Sequence, residues 1–330
     1  MLRPFIDAHV HLNTTSPAKM ELALERGAHF LSVNTDIPFF ESVERQGQVI
    51  LELQRAFPGR VRHVTSFDTQ HWGSTRWATH AIDQIKRGLD QGAVGVKIWK
   101  NIGMDSKLRH ADGSFVMIDD LVLAPIFEFL VAQNILLIGH QGEPRNCWLP
   151  LSEMTVDSDR NYFAAHPEYH MHLHPAFPSY EAQIQARDHI LQRYPTLRFV
   201  GLHLLSLEWN LAEVDRRLEQ FPNLMTDLAE RICHVQLQAM HDREAVRNFF
   251  IRHQDRIIYG TDVIDDGSLP DAALCAKFER LWDQHWRFFA TAELMTAPEF
   301  QGTFTGLALP ETVLRKIFLE NAARTYGFDL

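Results

Sequence analysis

A chain of 330 residues with 45% hydrophobic content is a globular protein able to bury a substantial core. Its 42 acidic against 32 basic residues leave a net charge of −10 with no long basic run, which argues against nucleic acid or an anionic membrane surface as the main partner. No apolar run is long enough to span a bilayer and no signal-like segment precedes the first strand. The three cysteines (Cys147, Cys233 and Cys275) form no short metal-type pair and read as core residues, so a cytoplasmic location is expected.

The chain opens on Phe5-Ile6-Asp7-Ala8-His9-Val10-His11-Leu12, which reads as a strand. Strict alternation puts Asp7, His9 and His11 on one face and Ile6, Ala8, Val10 and Leu12 on the other. Two imidazoles and a carboxylate at a strand's C-terminal end form a candidate divalent-metal site. The plainer alternative is one buried, hydrogen-bonded histidine and one at the surface.

Strand-like and helix-like segments then alternate. A helix at 17–27 is followed by strand 28–36, helix 39–57, strand 60–69 and helix 76–91. Strand 93–100, helix 121–133, strand 135–140 and helix 179–194 come next. Strand 197–204, helix 207–220, strand 223–229, helix 243–253, strand 256–263 and a helix from residue 271 complete the series. Eight alternations predict a closed parallel (β/α)8 barrel of the TIM type, and an open doubly wound sheet lacks its glycine-rich phosphate loop after strand one. Long excursions interrupt the rhythm at 101–120 after strand four and at 141–178 after strand five. Both fall on the side where barrel active sites are built. No linker divides the chain, so residues 1–330 are expected to form one barrel domain.

Polar residues sit where strands end. Lys97 alternates with Val96 and Ile98 and so faces the barrel interior together with Gly95. His140 is in phase with Leu136 and Ile138, His203 with Phe199 and Gly201, and Asp262 with Ile258 and Gly260. A barrel brings these ends to one rim.

These residues carry a resemblance. The motifs D-x-H-x-H at 7–11, GVK at 95–97, IGHQGE at 138–143, VGLHLLSLEW at 200–209, YGTD at 259–262 and LENAARTYGF at 319–328 resemble the amidohydrolase superfamily, in its amidohydrolase-related branch of metal-dependent hydrolases and decarboxylases. The resemblance implies His9, His11, His140 and Asp262 as metal ligands. It also implies His203 as a second-metal or substrate contact. Lys97 stands where binuclear members carry a carboxylated lysine, while a surface or substrate-carboxylate role is equally open. One divalent ion is expected, two being possible; zinc suits the donors best, and manganese also accepts them. Asp262 would move the proton of a metal-activated water, and His203 would polarise a carbonyl or stabilise an oxyanion.

Other residues are candidates with structural alternatives. Asp7 reads as a partner of a ligand histidine or a cap. Glu143, Arg145 and Trp72, with His71 and Trp148, are candidate pocket residues. Asp36, Asp68 and Asp227 end strands, where helix capping explains them equally well. His170, His172 and His174 alternate, but nearby prolines favour a loop role over a second metal. Trp282, Trp286, Phe288 and Phe289 suggest a helix covering the barrel or a dimer surface, the former favoured, and a homo-oligomer is possible. The leading functional expectation is hydrolysis of an amide, lactone or ester of a small, carboxylate-bearing organic acid. The alternatives are non-oxidative decarboxylation of an unsaturated or aromatic acid and a non-catalytic metal-binding barrel.

Overall fold

The computed structural model describes residues 4–330. Its barrel strands are β1 (Phe5–Leu12), β2 (Ala28–Val33), β3 (Val61–Val64), β4 (Val96–Ile98) and β5 (Leu137–Gly139). They continue as β6 (Phe199–Gly201), β7 (Leu224–Asp227), β8 (Ile257–Ile258) and β9 (Val263–Asp265). They pair in parallel in the orders β3-β2-β1-β9 and β4-β5-β6-β7-β8, and a parallel bridge from Thr65 to Val96 joins the two sets. β8 and β9 are two halves of the expected eighth strand. Across the break, Ala8 N donates to Tyr259 O at 3.0 Å and Asp262 N to His9 O at 2.7 Å, which closes the ring. The expected (β/α)8 TIM barrel is thus present.

The helices fall close to their expected places. Ser179 caps helix Tyr180–Arg193 by accepting from Ala182 N at 3.2 Å, and Gly27 ends helix Ala18–Arg26 in the left-handed conformation at φ 72°. In helix Trp77–Asp90 the buried residues Trp77, Ala81 and Ile85 recur every fourth position, which supplies the stripe that packs on the barrel. One helix, Ile232–His241, lies in a stretch left without an element by the sequence reading. The excursion 141–178 is more ordered than a loop. It contains helix Asp157–Ala165, several 3-10 turns, and a small core of Cys147, Met154, Phe163 and Met171. Among the described residues no helix is long and apolar enough to cross a membrane.

Two apolar layers show which way each strand faces. One cluster draws Ile6, Ala8, Leu31, Val33, Val64, Leu136, Ile138, Val200, Leu202 and Ile258 together from six strands, an arrangement that only the barrel interior permits. Leu319, Ala322, Tyr326 and Phe328 plug it from the C-terminal helix. The other layer, between strands and helices, takes Phe5, Val10, Leu12, Phe30, Val96, Ile98, Leu137 and Phe199. β1 therefore changes phase. Ile6 and Ala8 point inward, whereas Val10 and Leu12 point outward, and the β1–β2 register shifts between Asp7 and Val10. This bulge corrects the expected alternation: His9 and His11 face inward, but Asp7 faces the outer layer. There it accepts from Thr261 N (2.9 Å), Thr261 Oγ1 (2.8 Å) and Trp282 Nε1 (2.9 Å). Trp282 also packs edge-on against Phe5, ring centroids 5.1 Å apart, so helix Asp271–Ala290 covers the barrel as expected.

Candidate metal centre

Above the inner apolar layer the barrel becomes polar. His9 and His11 arrive from β1, Lys97 from β4, His140 and His203 just past β5 and β6, Asp227 at the end of β7, and Asp262 between β8 and β9. All but Asp262 are buried, and the Asp262 side chain is only 16% exposed.

His9 is the hub. Its Nδ1 lies 2.6 Å from Asp227 Oδ2; a carboxylate can only accept, so Nδ1 carries a proton and, in the neutral ring, Nε2 a lone pair. That Nε2 stands 3.2 Å from Asp262 Oδ1, and His11 Nε2 stands 3.2 Å from the same oxygen. A lone pair and a carboxylate oxygen at this distance repel unless a cation or proton lies between them. His9 Nε2, His140 Nε2 and Asp262 Oδ1 are buried with no hydrogen-bond partner among the described residues. Leaving such atoms unpaired is costly. Donor atoms of His9, His11 and Asp262 all lie within 4.8 Å of one another, and so do those of His9, His203 and Asp227. Imidazole nitrogens and a carboxylate oxygen are the donor types that zinc and similar divalent ions accept, so these residues fit a metal.

The electrostatics agree. Burial lowers the pKa of His11, and of His140 well below the ordinary histidine value, with His203 and Lys100 adding to the effect on His140. Burial pushes His203 down to about 3. Burial acts to raise the carboxyls of Asp227 and Asp262, but the surrounding imidazoles outweigh it and hold both below their usual value. Burial lowers Lys97 to about 8 although Asp262 and Asp227 favour its charge.

His203 reaches the centre by an unexpected route. Phe199 faces the outer layer, so simple strand phase would send His203 outward too. The chain instead leaves β6 in a left-handed turn: His203, Leu204, Leu205 and Ser206 have φ of 57°, 55°, 62° and 52°, and none is glycine. Such conformations cost roughly 1–2 kcal/mol per residue and normally occur singly. The ring ends 4.2 Å from His140 and 5.0 Å from His9, centroid to centroid. Its backbone N–H donates to Asp227 Oδ1, and its Nδ1 donates to Ala229 O at 2.9 Å. In the neutral ring Nε2 is then an acceptor. With Nδ1 so engaged, a neutral His203 has only an acceptor to turn toward a substrate, which suits the expected oxyanion-stabilising role poorly.

The pocket candidates divide. Glu143 lies beside the centre, with Oε2 3.9 Å from His140 Nε2, and Oε1 ion-paired to Lys100. Arg145 stacks on Trp209 at 4.2 Å, and its backbone N donates to Glu208 Oε1 at 2.8 Å. Trp72 donates to Arg109 O at 2.9 Å and packs on Trp77. Its side chain's hydrogen-bond and ring partners among the described residues are Trp77, Arg109 and His110, none of them a residue of the centre. His170 donates Nε2–H to Leu149 O at 2.8 Å and His174 to Pro167 O at 2.9 Å, which makes them loop fasteners. Fully buried Glu208 belongs to the VGLHLLSLEW motif, but nothing in its spacing distinguished it. A third histidine–carboxylate group, Asp215, Glu219 and His253, lies on outer helices, where His253 and Arg252 already engage Asp215 at 2.6 and 3.1 Å.

A polar cluster of this kind at the strand C-termini of a barrel is matched by sequence as well. The amidohydrolase family model matches residues 6–328. The chain belongs to the amidohydrolase family. Among solved structures, this amidohydrolase is similar to an uncharacterised TIM-barrel protein from Bordetella bronchiseptica (15% identity, 98% of each chain covered, TM-score 0.54). It is also similar to a putative amidohydrolase from Staphylococcus aureus (13% identity, 98% of each chain, TM-score 0.54). A third is a putative 2-pyrone-4,6-dicarboxylic acid hydrolase from Pseudomonas putida (13% identity, 100% of each chain, TM-score 0.50). At these identities they establish the fold. No curated protein sequence matches the chain. Amidohydrolase family members are enzymes that act on small molecules, hydrolases and decarboxylases among them, and generally use a divalent metal.

Proposed function

We propose that this amidohydrolase holds one divalent ion between His9, His11, His140 and Asp262 and hydrolyses an amide, lactone or ester of a small organic acid. Zinc suits these donors best, and manganese accepts the same ligands. The observation that carries the reading is the gathering of donor atoms from His9, His11 and Asp262 within 4.8 Å of one another, with His9 Nε2 and Asp262 Oδ1 buried and unpaired; His140, whose Nε2 is also buried and unpaired, is the fourth ligand proposed. Bound there, the ion would supply Lewis acidity and a water whose pKa falls to about 7.

The chain's own groups divide the remaining work. Asp262 keeps a carboxylate whose Oδ1 faces the imidazoles, which leaves Oδ2 to take a proton and return it to the leaving group. His203, neutral and with Nε2 as acceptor, orients the attacking water instead of donating to an oxyanion. Lys97, cationic at neutral pH and facing inward, is the group that offsets developing negative charge. A decarboxylase needs a cation free to hold the substrate carboxylate. Lys100 is ion-paired to Glu143 and Arg145 stacks on Trp209, but inward-facing Lys97 could serve either reaction, so the product released in the test below separates the two.

The test uses protein stripped by a chelator, then refilled with zinc or manganese and offered lactones, esters and amides of small acids. Acid release is followed with a pH indicator and CO2 release in parallel. Acid release that depends on metal and disappears in His9→Ala and Asp262→Asn is the expected result. CO2 release from carboxylic acids without hydrolysis would replace the hydrolase reading, and failure to bind either ion would end the metal reading.

A further inference from the structure

The left-handed turn at 203–206 is the most strained segment near the centre, and one helix holds it. Arg187 Nη1 donates to Leu205 O, and Tyr180 Oη donates to Ser206 O at 2.5 Å. Both side chains come from helix Tyr180–Arg193, seven residues and so two turns apart on one face. Each is itself fixed. Trp209 Nε1 donates to Tyr180 Oη at 2.8 Å. Arg187 is 2% exposed, and its Nε and Nη2 donate to Asp188 Oδ1 at 3.1 and 2.7 Å. Arg217 Nε donates to the other Asp188 oxygen at 3.2 Å. Leu205 folds back over Gly201, where a Cβ would lie 2.0 Å from Leu205 Cδ2.

We propose that Arg187 and Tyr180 are positioning residues, whose hydrogen bonds to the carbonyls of Leu205 and Ser206 hold the left-handed turn that swings His203 from the outward phase of β6 into the centre. A buried guanidinium is expensive to desolvate, and beyond its own neighbour Asp188 the one hydrogen-bond partner of Arg187 among the described residues is this carbonyl. Released from the two donors, the turn relaxes toward right-handed or extended backbone, and His203 loses the Nδ1–H bond to Ala229 O. The inference rests on His203 serving the centre proposed above, but the placement of the ring is measured without metal, so the two readings fail separately.

The experiment follows the His203 Nδ1 proton by NMR in chelator-treated protein labelled with 15N-histidine, alongside Tm. In the wild type this proton is protected by Ala229 O. Arg187→Met is expected to speed its exchange at least about tenfold, and Arg187→Lys to recover only part of the protection because lysine lacks the planar fork. Tyr180→Phe removes one hydroxyl and is expected to act in the same direction more weakly, which covers the case in which Arg187→Met does not fold. The specific arm is Ser206→Gly in the Arg187→Met background. Glycine adopts the left-handed conformation without steric penalty, so this change should restore protection and most of the lost Tm. A His203 proton as protected in Arg187→Met and Tyr180→Phe as in the wild type would overturn the proposal. So would a defect in Arg187→Met that Ser206→Gly leaves unchanged.

Discussion

Asp227 shows how one residue can set the chemistry of others without touching substrate. One oxygen takes the His9 Nδ1 proton and so bares His9 Nε2; the other takes the His203 backbone N–H. An asparagine can accept only one of these bonds, because its amide nitrogen would confront the second N–H. Asp227→Asn is therefore expected to weaken zinc binding about 10- to 100-fold, the usual cost of losing a ligand's outer partner. Competitive zinc titration of the stripped protein checks this, and an unchanged affinity would remove Asp227 from the site. The sequence marked Asp227 as a strand-end carboxylate with capping as an equal explanation. What distinguishes it is a partner 218 residues away, which spacing along the chain does not encode. Asp7 is the converse case. It was legible as a polar residue beside the histidines, yet a single bulge turns it toward Trp282.

Among the elements, β1 and the broken eighth strand determine the site's geometry together. The bulge in β1 lets His9 face inward directly after inward-facing Ala8, and the break between β8 and β9 lets Asp262 adopt φ 63° and approach both histidines. Gly260 makes their close approach possible: a Cβ there would lie 2.7 Å from His9 Cβ and 3.1 Å from His9 N. Gly260→Ala must push the two strands apart. It should cost about 1–3 kcal/mol of stability, as overpacking does, and lower the zinc retained after dialysis. Denaturant unfolding and metal analysis read the two effects. Stability lost with full zinc retention would mean that the strand contact is not what places His9. The phase of each strand was readable wherever alternation continued unbroken, as at Lys97 and His140. It failed at β1 and at His203, where a bulge and a left-handed turn intervene.

At the scale of the whole molecule, acid should be the weak point. His63 is 1% exposed on β3, its Nδ1 has no partner among the described residues, and burial pushes it down to about 4. The unfolded chain takes up that proton near pH 6.5 and the folded chain only near pH 4. This contribution to stability is complete above pH 6.5 and is lost as the pH falls from 6.5 toward 4, by at most about 3 kcal/mol. His63→Phe should therefore shift the acid-unfolding midpoint to lower pH, while an unchanged midpoint would show that other groups control acid unfolding. The eight-stranded parallel barrel, and the rim that carries His9, His11, Lys97, His140 and Asp262, were legible in the chain because periodicity, element order and strand ends are local properties. Long-range contacts, by contrast, set which nitrogens of His9 and His203 face the centre, which cations are already paired, and how His203 turns inward. Those outcomes depend on contacts such as His9–Asp227, Lys100–Glu143 and Arg187–Leu205, between residues that the fold brings together and local periodicity cannot report.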